Sequence, residues 1–225
     1  MNPIRIAAIA VAAVLSIAAG KPHPDWTATI NPGEGGSHIL GNPDAKVKLT
    51  EFVSYTCPHC AHFHKEADAP LKLVYVQPGK VSVEIRHLIR DKVDLAAALV
   101  ANCGDPKYFF RNHNMIMQTQ DKWIAVMGTA SAGQKARWNV SNLGAQMRAI
   151  ANDFGFYAMM EQRGYRRPAL DRCLADEAKA RQLTAQTQKA VNEGVEATPS
   201  FALDGMLLIG THDWESLNTQ LQARF

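Results

Sequence analysis

Two cysteines separated only by Pro58 and His59 stand where a strand pattern gives way to a helix pattern, and this junction constrains the chain more than any other feature. Upstream, Lys46 to Ser54 reads as a strand. Val47, Leu49 and Glu51 share one face, while Phe52 and Val53 break the alternation, as in a strand buried on both sides. Downstream, Ala61 to Val76 carries Phe63, Ala67, Leu71 and Val74 at helical spacing. After the Pro78-Gly79 turn, Val81, Val83 and Ile85 alternate with Ser82, Glu84 and Arg86, the mark of a second strand. Strand, helix and strand in that order predict a parallel pair joined by a right-handed crossover. Cys57 then lies at the first turn of the helix.

The flanking regions complete an α/β architecture. A short strand at His38 to Leu40 and the turn Gly41-Asn42-Pro43-Asp44 open residues 37–90. Residues 91–192 carry almost no strand signal but many helical patterns, such as Val93, Ala96, Ala97 and Val100, with breaks near Gly104-Asp105-Pro106, Gly128 to Gly133, Gly144, Gly155, Gly164 and Pro168. This predicts a large helical insertion, within which the glycine-rich loop from Ala125 to Ser141 receives no role. A last helix with Leu183, Ala190 and Val191 on one side stops at Gly194, a usual residue past a helix end. In residues 193–225, strands at Ser200 to Leu203 and Met206 to Ile209 flank the hairpin turn Asp204-Gly205, and Trp214, Leu217 and Leu221 mark a closing amphipathic helix.

Residues 1–20 read as a secretory signal: Arg5, an apolar run from Ile6 to Ala19, and small residues at Ala18, Ala19 and Gly20. The run is too short for the roughly 20 residues of a membrane-crossing helix. Residues 21–36, with Pro22, Pro24, Pro32 and several glycines, suit a flexible leader. With 47% hydrophobic residues the rest can bury a core, and a net charge of +3 spread along the chain argues against a nucleic-acid partner. Export would deliver Cys57, Cys60, Cys103 and Cys173 to an oxidising compartment, where disulfides persist.

At a helix start, unpaired backbone N–H groups and the helix dipole favour thiolate over thiol at Cys57. Pro58 fits the first turn because its missing donor is not needed there, and a protonated His59 would add positive charge. Cys60, one turn along, would be the less exposed resolving sulfur. A stabilised thiolate makes the corresponding disulfide a strong oxidant. Half of a zinc site is the alternative reading, with His62 and His64 nearby, but structural zinc usually takes a second ligand pair at similar spacing. His62 and His64, two apart on one helix, diverge and read as solvated surface residues.

From Ser37 to Phe225 this arrangement resembles the DsbA family of bacterial oxidoreductases, above all in Cys57-Pro58-His59-Cys60 and Ala197-Thr198-Pro199-Ser200-Phe201. The resemblance implies a thioredoxin-like fold with a helical insertion and a catalytic set of Cys57, Cys60, His59, Pro58, Pro199, Thr198 and Glu51. Within it, Pro199 would be cis and help bind extended substrate, and Glu51, six residues before Cys57, would shuttle a proton for Cys60. The other reading of Glu51 is a strand residue with its carboxylate in water. Cys103 and Cys173 would pair if close, as a non-catalytic bridge of the kind some such proteins carry, or remain two buried thiols. The implied function is a periplasmic, monomeric oxidoreductase without cofactor or metal, donating disulfides to reduced exported proteins and reoxidised by a DsbB-like membrane partner. Isomerase or reductase activity through the same pair is the first alternative, and a metal carrier the second.

Overall fold

In the computed structural model, which describes residues 24–225, β1 (Ile30–Pro32), β2 (His38–Leu40) and β3 (Val47–Val53) lead into α1 (Pro58–Pro70) and β4 (Val81–His87). The signal read at residues 1–20 lies outside the described residues. β3 and β4 are parallel and in register from Val47 opposite Val81 to Val53 opposite His87. Nine helices follow: α2 (Lys92–Ala101), α3 (Phe109–Gln118), α4 (Gln120–Trp123), α5 (Val126–Thr129), α6 (Ala132–Arg137), α7 (Leu143–Asp153), α8 (Phe156–Glu161), α9 (Arg167–Leu174) and α10 (Glu177–Asn192). The hairpin β5 (Ser200–Leu203) and β6 (Met206–Leu207) and the helix α11 (Trp214–Gln222) close the chain.

These elements make one six-stranded mixed sheet in the order β1-β2-β4-β3-β5-β6. β3 lies inside it, and every β3 residue except Lys48 is buried. Its two faces meet different layers. Leu49 and Val53 join the main core with Phe63 of α1, whereas Phe52 packs with Ala190 at the end of α10. The two-residue turn Asp204-Gly205 has positive φ at both positions, 52° and 82°, which a tight hairpin turn of this kind requires.

Five local readings change. Part of the segment expected to be a mobile leader is tied down: β1 pairs with β2, and Gly35 carbonyl accepts from Gln186 Nε2 at 3.0 Å. Backbone pairing needs no large apolar side chains, so composition does not reveal it. α1 ends at Pro70, which lacks the N–H to continue the ladder, and Leu71 to Val76 form a wider π turn. The extra residue per turn rotates the face, burying Tyr75 and Val76 and leaving Val74 52% exposed. Val191 is likewise exposed beside buried Ala190. The loop from Ala125 to Ser141 holds α5 and α6, followed by the buried Trp138, whose indole N–H donates to Asp153 at 2.8 Å. Gly144 is no break: it sits in the first turn of α7, where an added Cβ would stand 2.9 Å from Ala175 Cβ.

Cys103, just beyond α2, is joined to Cys173 in α9 by a disulfide with a sequence separation of 70. Closing a loop of that length stabilises by roughly 4 kcal/mol in the chain-entropy model. Replacing both by alanine should therefore lower the urea midpoint by a corresponding amount while leaving the pH profile of Cys57 alkylation where it was. An unchanged midpoint would show that the bridge does not constrain folding.

Candidate active site

Cys57 is the N-cap of α1 with extended backbone, and Pro58 occupies the first helical position. Cys60 follows one turn later with no exposed surface, and both thiols are free in this structure. The Thr198–Pro199 bond is cis and brings Thr198 carbonyl to 3.0 Å from Cys57 Sγ, which donates to it as a thiol. His212 donates from Nδ1 to Pro199 carbonyl at 2.8 Å, fixing the other side of this turn.

The two sulfurs are driven apart electrostatically. Cys57 is lowered to about 4: the Cys60 thiol supplies the largest share as a hydrogen-bond donor, and burial opposes it. The Thr198 side chain and the backbone N–H groups of Cys60 and His59 add to the lowering. The Thr198 hydroxyl is buried without another partner, so it is free to donate once Cys57 ionises and can no longer donate itself. His59 thus contributes through its backbone; its side chain, expected to act by charge, is exposed. Burial pushes Cys60 well above the ordinary thiol value, and hydrogen bonding to Cys57 and the charges of Cys57 and Glu51 push the same way. One sulfur is an anion near neutral pH and the other a thiol.

Several groups that hold this loop were not singled out in the sequence. Asp94, fully buried in α2, accepts from Ser54 Oγ at 2.6 Å, Tyr55 N at 2.8 Å and Arg90 N at 3.0 Å. Burial raises its carboxyl to about 7 against the pull of those donors. Asp91 caps α2 through Val93 and Asp94 N–H and also accepts from Thr56 Oγ1 at 2.8 Å. Gln120 of α4 donates from Nε2 to Tyr55 carbonyl at 2.6 Å and to Cys57 carbonyl at 2.9 Å. The helical insertion therefore clamps residues 54–57 from above. Asp91 was readable as a capping residue before an apolar helix; Asp94 and Gln120 act through tertiary contacts and leave no local signal.

Glu51 is 1% exposed, so its carboxylate is not in water. His64 corrects the reading of solvated surface histidines: it is buried, and its Nε2 lies 3.0 Å from Glu51 Oε1. A helix starting at Pro58 turns position 64 inward beside Phe63, whereas His62 stays exposed and pairs with Glu66 at 3.2 Å. Beside the sulfurs, His59, His62, Phe63, Thr198, Pro199 and His212 line an open groove. Among the described residues no three His, Cys, Asp or Glu side chains converge in a way that could hold a metal ion.

Residues 34–223 match the thioredoxin family model. A crystal structure of a protein-disulfide isomerase from Novosphingobium aromaticivorans is 49% identical, with a TM-score of 0.81, covering 84% of this chain and 97% of that one. Wolbachia pipientis alpha-DsbA1 shares the fold at 20% identity and a TM-score of 0.65, covering 82% and 88%. A Rickettsia felis protein named as a protein-disulfide oxidoreductase is 31% identical over 183 residues, 80% of this chain and 57% of the relative. The chain spans between about a third and just over half the length of the curated Rickettsia relatives it matches.

Thr198→Val removes the unpartnered hydroxyl at almost constant volume. Folding stability of the oxidised form should hold or rise slightly, while the midpoint of Cys57 alkylation moves up from about 4 by roughly one unit, the scale of one hydrogen bond to a charged group, and the reduced form near pH 7 loses stability to match. An unmoved midpoint would remove Thr198 from the set that holds the thiolate.

Proposed function

The chain belongs to the thioredoxin family, and on that premise we propose that it is a cell-envelope thiol-disulfide oxidoreductase that passes the Cys57–Cys60 disulfide to reduced exported proteins. One observation carries the reading: the Cys57 sulfur is held as an anion at about 4 while the Cys60 sulfur is held as a thiol. A stabilised reduced form makes the disulfide a strong oxidant, because the equilibrium favours leaving the enzyme reduced.

In the forward reaction a substrate thiolate attacks Cys57 Sγ, and the Cys57–Cys60 bond breaks with its electron pair on Cys60, which takes up a proton. A second substrate thiolate then attacks the substrate sulfur of the mixed disulfide, and Cys57 departs as the stable thiolate. Two electrons pass from substrate to protein, and the substrate leaves oxidised. The groove beside Pro199 offers room for an extended segment around the reacting cysteine. The same residues support the remaining assignments: Pro58 starts the helix, Thr198 and Pro199 flank the sulfur, and Glu51 serves Cys60. Periplasmic location, a membrane reoxidant of the DsbB kind and a monomeric state follow from the signal-like residues 1–20 and the family resemblance.

Isomerisation is the second reading, favoured by the isomerase name of the 49%-identical neighbour. Refolding separates the two. With reduced substrate and oxidised protein, a donor raises the rate of disulfide formation; with scrambled substrate and reduced protein, an isomerase restores the native pairing. Cys57→Ser should abolish whichever activity is found.

The pH dependence has a defined sign. Cys57 lies at about 4 in the folded reduced protein against ~8.5 for an unfolded thiol. Its thiolate therefore stabilises the reduced fold fully above the unfolded value, and this contribution is lost as the pH falls through about 4. Thermal scans should find the reduced form more stable than the oxidised near pH 7, with the gap closing toward pH 4. A more stable oxidised form near neutrality would defeat the donor direction.

A further inference from the structure

From Glu51, whose charge bears on Cys60, a line of polar groups crosses the core. His64 Nε2 lies 3.0 Å from Glu51 Oε1 and 3.1 Å from His113 Nε2, and His113 Nδ1 lies 2.8 Å from the Tyr55 hydroxyl. All four residues are buried, Tyr55 and His113 completely. Polar networks of this kind cost more than apolar packing unless each member is bonded, and disulfide exchange at Cys57 makes no use of the two histidines.

Glu51 and His64 also line a cavity of about 20 Å³, whose other polar walls are Asp68, Lys72 and Asn114. That is room for about one water. Asp68 pairs with Lys72 at 2.7 Å and accepts from Asn114 Nδ2 at 2.7 Å, and both members of the ion pair are partly exposed, so this end reaches solvent.

We propose that His64 is a positioning residue for the proton Cys60 gives up: its Nε2–H holds Glu51 as the accepting base, and the cavity beside the pair conducts the proton to the Asp68–Lys72 surface. The inference rests on Glu51 serving Cys60. His64 Nε2 faces two partners with one proton to give. While Glu51 is a carboxylate it can only accept, so that proton points at Oε1, and His113 carries its own on Nδ1 toward Tyr55. Once Glu51 has taken a proton, the His64 N–H is released to His113 Nε2. Burial first, and then the neighbouring histidines and Lys72, hold His113 well below the ordinary imidazole value, which keeps it a neutral acceptor.

Oxidation of the reduced protein by glutathione disulfide isolates the step. Cys57 thiolate attacks the glutathione disulfide and releases one glutathione thiolate. The S–H bond of Cys60 then breaks toward Glu51, Cys60 Sγ bonds to Cys57 Sγ, and the second glutathione leaves with the electron pair of the broken mixed disulfide. The groups that face His64 and shape the pH response are Glu51 from β3, His113 from α3, Asp68 and Lys72 from α1 and the π turn, and Cys60 on its own helix.

Acid-quenched single-turnover resolution of the Cys57–glutathione mixed disulfide, followed across pH, tests the assignment. His64→Leu should slow resolution about tenfold near pH 7 and move the midpoint of the rate profile up by about one unit. His64→Gln, which keeps an N–H toward Glu51, should recover most of the rate, and Cys57 alkylation should be unaffected in both. Glu51→Gln should slow resolution at least as much. If Glu51→Gln slows the step and His64→Leu does not, the role of His64 is overturned and that of Glu51 stands. If Glu51→Gln also leaves the rate unchanged, both fall. Should His64→Leu fail to fold, the nitrogen-15 resonance of His64 Nε2 in the wild-type protein decides: it should shift between oxidised and reduced forms, and identical resonances overturn the proposal.

Discussion

The negative charge on Cys57 Sγ is the interaction on which the rest of the site depends. A sulfur anion withdrawn from water is tolerated only where donors replace the lost solvent. Here the donors are the Cys60 thiol, the Thr198 side chain and two backbone N–H groups at the start of α1. Each comes from a different structural commitment: the spacing of the two cysteines, the cis turn at Pro199, and the helix beginning at Pro58. A fold that displaced any of these by an ångström would leave the charge short of a partner, because hydrogen bonds weaken steeply outside their narrow range of distance and angle.

Holding that geometry is the work of groups outside the motif. Asp94, Asp91 and Gln120 fasten Ser54, Tyr55, Thr56 and Cys57 from α2 and α4, so the helical insertion is part of the active-site scaffold and not an appendage. The buried Asp94 is the costly member. Three donors converge on it, yet burial still raises its carboxyl to about 7, which means that the desolvation penalty exceeds what those bonds return. A group with that balance is retained for the loop conformation it enforces rather than for net stability.

What the sequence revealed follows the range of the forces involved. The strand, helix and strand around Cys57, the hairpin at Asp204-Gly205 and the end of α10 before Gly194 are set by neighbours a few positions apart, and their periodicity or turn chemistry was readable. Where long-range contacts decide, local pattern failed. β1 exists because backbone groups pair with β2, and His64 is buried because Glu51 and His113 wait for it from other elements, whereas Val74 turns outward for a local reason that the 3.6-residue count passed over, the π turn that follows Pro70. Reading His64 as a surface residue was the natural consequence of counting polar types on a helix whose inward face includes a polar partner.

The asymmetry of the two sulfurs also bears on direction. Lowering Cys57 alone would make it reactive but a poorer nucleophile, since nucleophilicity falls with basicity. Raising Cys60 alone would trap mixed disulfides, because a thiol does not attack. On the donor reading proposed above, the two shifts work together: Cys57 would be an excellent leaving group when substrate resolves the intermediate, and Cys60 would be slow to reclaim it. Protein left in the reduced state then needs an external oxidant, and that reoxidation is the step in which the proton on buried Cys60 must be removed. The polar line from Glu51 to Tyr55 shares no residue with the lining of the substrate groove. Proton traffic and substrate binding would thereby use separate residues around one redox centre.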